Sequence, residues 1–90
     1  MDENTMLTAL KVDLGITTTA YDERLVQYLE AARAAIEIEG IKLTEAISDG
    51  NLVVMYAAFL WRKRDTQEGM PRMLRWMMNN RLFSQKLQEE

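Results

Sequence analysis

Leu52-Val53-Val54-Met55-Tyr56-Ala57-Ala58-Phe59-Leu60-Trp61 is the longest apolar run in the chain. Its ten residues are half of the roughly 20 needed to cross a bilayer, so the run reads as a buried helix and no membrane span is expected. Apolar side chains cover the whole circumference of such a helix, which places it at the centre of a bundle. Just before it, Asp49-Gly50-Asn51 is a turn signal, with Asp49 or Asn51 as the N-cap. Just after it, Arg62-Lys63-Arg64 falls at the helix C-terminus, where cations complement the helix dipole.

On the N-terminal side, Asp22 and Glu23 suit the first turn of a helix that continues to Glu39 and stops at Gly40. Tyr21, Leu25, Tyr28, Leu29, Ala32 and Ile36 follow helical spacing, and Ala31-Ala32 with Ala34-Ala35 allows close approach of another helix. A shorter helix is predicted over residues 5–14, capped by Asn4 or Thr5, with Met6, Leu7, Leu10 and Leu14 as its stripe and Gly15 as its stop. Residues 41–49 read as a connection holding one helical turn over 44–47, capped by Thr44.

On the C-terminal side, Thr66-Gln67-Glu68-Gly69 reads as a loop, and Pro71 suits the first turn of a helix over residues 71–79. Met70, Met73, Leu74 and Met77 lie along one stripe, while Trp76 and Met78 widen it on both flanks. Residues 80–90 read as a tail carrying Leu82, Phe83 and Leu87. With one proline and no alternating stretch bounded by turn signals, the fold class is all-α. The expectation is one domain over residues 1–90, a bundle of four main helices around a central apolar one, with a C-terminal interaction segment over residues 70–90.

Ninety residues make a modest core, so association with partners is expected from size alone. Cysteine and histidine are both absent, which excludes Ser-His and Cys-His catalysis, imidazole or thiolate metal ligation and any side chain whose ordinary pKa lies near neutrality. Glu37 and Glu39, like Asp22 and Glu23, diverge on a helix and do not suit paired-carboxylate chemistry. Gly15, Gly40, Gly50 and Gly69 have no phosphate-loop spacing. No enzymatic activity, cofactor or metal is expected. The acidic start, Met1-Asp2-Glu3-Asn4, does not resemble a secretory signal, so the protein is expected in the cytoplasm of the cell that makes it.

Net charge is −3, but residues 1–61 carry 4 basic and 10 acidic side chains while residues 62–90 carry 7 basic and 4 acidic. One reading is two differently solvated faces; the other is a basic C-terminal part that docks on an acidic surface of a neighbour. Four of the seven methionines fall within residues 70–78, together with Trp76, and flexible thioethers and aromatics are enriched at interface centres. A helix-turn-helix reading fails because residues 52–61 offer almost nothing that reads base edges. Arg72, Arg75, Trp76 and Arg81 mix cations with an aromatic, which keeps a small nucleic-acid-binding or regulatory protein open as the alternative.

The order of elements resembles a known family. Leu10-Lys-Val-Asp-Leu-Gly-Ile16, Tyr21-Asp-Glu-Arg-Leu25, Tyr28-Leu-Glu-Ala-Ala32 and Ile36-Glu-Ile-Glu-Gly-Ile41 look like the N-terminal half of small helical head-tail connector proteins of tailed bacteriophages. Met70-Pro-Arg-Met-Leu-Arg-Trp-Met-Met-Asn-Asn-Arg-Leu-Phe83 is similar to the closing motif of versions from phages and prophages of Gram-positive hosts. The resemblance implies a structural subunit of the virion neck. Such a subunit forms a homo-oligomeric ring under the portal protein, continues the DNA channel without binding DNA specifically, and presents a platform to the next head-completion or tail protein. It also implies that Arg72, Met73, Arg75, Trp76, Met77, Met78, Asn79, Asn80, Arg81, Leu82 and Phe83 belong to the segment that meets the portal or the adjacent subunit. One departure is that only seven residues follow Phe83, fewer than in the C-terminal arm that some adaptors lay on the portal.

Overall fold

A computed structural model of the chain describes residues 1–89. Four helices follow one another as α1 (Glu3–Leu14), α2 (Asp22–Ile38), α3 (Ile47–Lys63) and α4 (Arg72–Glu89), with no strand among the described residues. The all-α expectation holds, and so does the central place of the apolar run: α1, α2 and α4 all pack on α3. Leu52, Val53, Val54, Ala57, Ala58 and Phe59 of α3 are buried, whereas Met55, Tyr56, Leu60 and Trp61 are half-buried. The first three helices meet through Met6 and Leu10, through Leu25, Leu29, Ala32 and Ile36, and through the apolar face of α3, forming one core cluster.

α1 begins earlier than the cap residues Asn4 and Thr5 suggest. Asp2 is the N-cap, its carboxylate accepting the Thr5 N–H at 2.7 Å, and that hydrogen bond holds the Asp2 carboxyl below its ordinary value. The stop is where it is expected: Gly15 takes φ 71°, and the Ile16 N–H returns to the Lys11 carbonyl at 2.9 Å. α2 ends at Ile38, with Gly40 just beyond it, as its charge pattern and glycine predict.

Two boundaries differ from expectation. Asp49-Gly50-Asn51 is not a turn, because α3 starts at Ile47 and runs through all three residues. Gly50 is tolerated inside the helix because the Met1 side chain lies where a Cβ would stand, with the Met1 Cβ only 2.6 Å from that position. The residue conserves space there rather than supplying a bend. The second correction is at the C-terminus: residues 80–89 are not a tail but continue α4 to Glu89 as one helix. Neither glycine nor proline interrupts residues 72–89, and the turns added beyond Asn79 gain partners that the bare sequence does not reveal.

Candidate assembly surface

α4 follows Pro71, whose carbonyl accepts the Arg75 N–H at 3.1 Å, as the first turn of a helix allows. One side of α4 is locked to the bundle. Leu74 and Met78 are 1% exposed and belong to the core, with Met77 and Leu82 half-buried at its margins. The stripe expected along Met70, Met73, Leu74 and Met77 is therefore divided by the tertiary structure, with Leu74 inside and Met73 outside. Met78 points into the chain's own core, which corrects its expected place on a partner surface, because the helix rotates so that Leu74 and Met78 meet α3.

Beside these apolar contacts sits a polar clamp. Asp49, 3% exposed in the first turn of α3, accepts from Arg81 Nε at 2.7 Å and Nη2 at 3.1 Å. The same carboxylate accepts the Thr44 N–H and hydroxyl, both at 2.8 Å. Arg81 Nη2 also donates to the Lys42 carbonyl at 2.7 Å, and Gln85 bridges the Gly40 carbonyl at 2.8 Å and the Lys42 N–H at 2.7 Å. Burial pushes the Asp49 carboxyl up, but the bonds from Arg81 and Thr44 and the guanidinium charge outweigh it and leave the pKa below the ordinary value. Hydrogen bonding to Asp49 raises Arg81 in turn. Arg81 is thus a structural anchor within the chain, which corrects its expected place among partner-facing residues. Arg75 is likewise paired with Glu39 at 2.7 Å, so part of the charge contrast along the sequence is used inside the chain.

The other side of α4 is unpartnered. Met73, Trp76, Phe83 and Leu87 are 61%, 61%, 63% and 56% exposed, and at 100° per residue they fall with Asn80 on an arc of about 80°, opposite Leu74 and Met78. Arg72 and Asn79 are also exposed beside this arc. Large apolar side chains in one row on a rigidly docked helix form a surface that water covers poorly and another helix covers well. Leu87 lies beyond the site residues named from the sequence, which end at Phe83, and its register with Trp76 is visible only because α4 is continuous.

The basic trio does not assemble into a patch. Arg62 reaches the Asp13 carbonyl at 3.4 Å, the Lys63 ammonium lies 5.4 Å from the Phe59 ring centroid, and Arg64 stacks 3.9 Å over Trp61 while donating to the Trp61 carbonyl. Trp61 is itself flanked edge-on by Tyr21 and Tyr28, at 5.8 and 5.5 Å between centroids. These contacts spread the three cations in different directions. Among the described residues no group of three carboxylates converges as a metal site would require, and no helix is long and apolar enough to cross a membrane. Comparison with protein-family models, with curated proteins and with solved structures finds no match for this chain.

Proposed function

We propose that this protein is a subunit of a phage head-tail connector, a non-enzymatic ring component that sits beneath the portal and continues the DNA channel toward the tail. The observation that carries the reading is the outward row Met73, Trp76, Phe83 and Leu87 on a helix whose opposite side is fastened by Leu74, Met78 and the Asp49–Arg81 pair. A subunit built for assembly needs such a surface held in one orientation before its partner arrives. The resemblance of residues 6–83 to small helical connectors supplies the identity of the assembly. The pairing of Arg75 with Glu39 and of Arg81 with Asp49 neutralises part of the positive charge that the nucleic-acid-binding alternative would use.

The test is the mass of the protein by size exclusion with light scattering, over a range of concentrations, alone and with purified portal protein of the same phage. Duplex DNA binding is measured in parallel against salt. A ring-sized species, free or on the portal, with weak DNA binding is the expected result. A monomer indifferent to the portal that binds DNA with a steep salt dependence would overturn the reading.

A further inference from the structure

The exposed row on α4 has a second regularity. Residues 73, 76, 80, 83 and 87 are spaced alternately three and four apart, which is the seam of a helix that packs against another helix in a coiled-coil manner. Asn80 is the one polar member, and a single polar residue in such a seam specifies register at some cost in stability. The positions bordering the seam on one side are Arg72, Asn79 and Lys86.

The exposed side of α2 carries the complementary pattern. Residues 24, 27, 31, 34 and 38 alternate three and four apart as well, and they are Arg24, Gln27, Ala31, Ala34 and Ile38, all exposed. Ile38 is 85% exposed, the highest value among the large apolar side chains on the surface. The bordering positions on the equivalent side are Glu23, Glu30 and Glu37. None of these three glutamates, and neither Arg72 nor Lys86, forms an ion pair among the described residues.

We infer that the outward seam of α4 docks antiparallel on the outward seam of α2 of a second copy of this chain, with Trp76 and Met73 over Ala31 and Ala34 and Asn80 beside Gln27. Three independent features select this occupant and this register. Bulky side chains meet small ones, which lets the helices approach closely. The two amide side chains of the seams, Asn80 and Gln27, face each other instead of each facing an apolar neighbour. In antiparallel packing the bordering rows also run side by side, so that Arg72 meets Glu37, Asn79 meets Glu30 and Lys86 meets Glu23. Pairing α4 with α4 of another copy antiparallel would instead bring the basic rows of both helices together. Arg24, already bonded to Gln27 at 2.6 Å and lying 5.0 Å from the Tyr28 ring centroid, borders Phe83 in this arrangement.

Such a contact uses different surfaces on the two subunits. A joined pair then keeps one free α4 seam and one free α2 seam, and the association either closes into a ring or grows into a filament. The inference rests on the connector reading and sharpens it, because it assigns the outward face of α4 to the neighbouring subunit and leaves the portal contact to other surfaces. A contact between one helix of each partner is weak alone, and it becomes effective when closure or a template holds many together.

The absence of cysteine makes cross-linking a clean test. Gln27→Cys and Asn80→Cys chains, both changed at exposed positions, are oxidised separately, mixed, and combined in one doubly substituted chain. The expected result is no disulfide dimer from either single variant, a mixed dimer from the two together, and a ladder of oligomers from the double variant. Reversing Arg72 and Lys86 to Glu should slow the mixed reaction roughly tenfold, and Glu23→Lys with Glu37→Lys on the other chain should restore it. A rapid Asn80→Cys homodimer overturns the inference in favour of α4 pairing with itself. Wild type that forms a ring while the mixed variants fail to cross-link overturns the inference and leaves the connector reading standing. Wild type that fails to assemble even with portal protein, together with no ladder, removes both.

Discussion

The two sides of α4 both carry large apolar side chains, and the fold buries one set while leaving the other in water. Toward the bundle, Leu74 and Met78 are fully buried and the polar atoms beside them are satisfied within the chain by Asp49, Lys42 and Gly40. Away from it, Met73, Trp76, Phe83 and Leu87 keep more than half of their surface in water with no apolar partner across from them. Apolar area buried in the first set stabilises the monomer, whereas area left in the second set stabilises only an assembly. One helix therefore commits one apolar side to the fold and leaves the other in water.

The comparison breaks most readily on the inward side. Leu74→Ala should cost about 3 kcal/mol and lower the melting temperature by on the order of 15 °C, read by thermal circular dichroism, because it opens a cavity between α3 and α4. A loss under about 1 kcal/mol would mean that α4 is not firmly docked.

Asp49→Asn comes next, with an expected loss of about 2 kcal/mol at neutral pH, since a half-buried guanidinium would lose its carboxylate. The pH dependence sharpens this. The folded-state pKa of Asp49 lies below the ordinary 3.8, so the pair's contribution is fully present above 3.8 and is lost as pH falls through the lower folded value. Urea unfolding of wild type and Asp49→Asn should therefore differ at about pH 6 and converge at strongly acidic pH. A difference that stays constant across that window would show that the ionised pair is not what Asp49 contributes.

The outward side should respond least in the monomer. Trp76→Ser with Phe83→Ser should shift the unfolding free energy by no more than about 1 kcal/mol, because the two rings are already largely in water. The same double change should abolish assembly in light scattering. Substantial destabilisation of the monomer would place these rings in the fold and end the contrast between the two sides.

Parts of this arrangement are legible in the residues alone. Methionines and Trp76 crowd residues 70–78, and the width of that apolar arc shows in the residues alone that part of it can stay outside the chain's own bundle. Which half of that arc turns inward was not legible, since Leu74, Met78, Met73 and Trp76 are all apolar and periodicity marks an arc without saying where it docks. Asp49 reads locally as a turn or cap residue in Asp-Gly-Asn, because the partner that makes it an anchor, Arg81, lies 32 residues away. Leu87 gains its place in the outward row only through the continuation of α4 to Glu89.

Local chemistry determined what could be decided locally. The four helices, the stops at Gly15 and Gly40, and the central place of residues 52–61 follow from backbone preference and from apolar residues that leave no polar face. The tertiary structure alone decided where α3 begins, how far α4 continues and which side of α4 is left exposed. Those outcomes depend on contacts between distant residues: Met1 against Gly50, Asp49 with Arg81, and Gln85 on the Gly40 carbonyl. Hydrogen bonds and packing across such separations exist only once the chain has closed on itself, so no reading of neighbouring residues contains them.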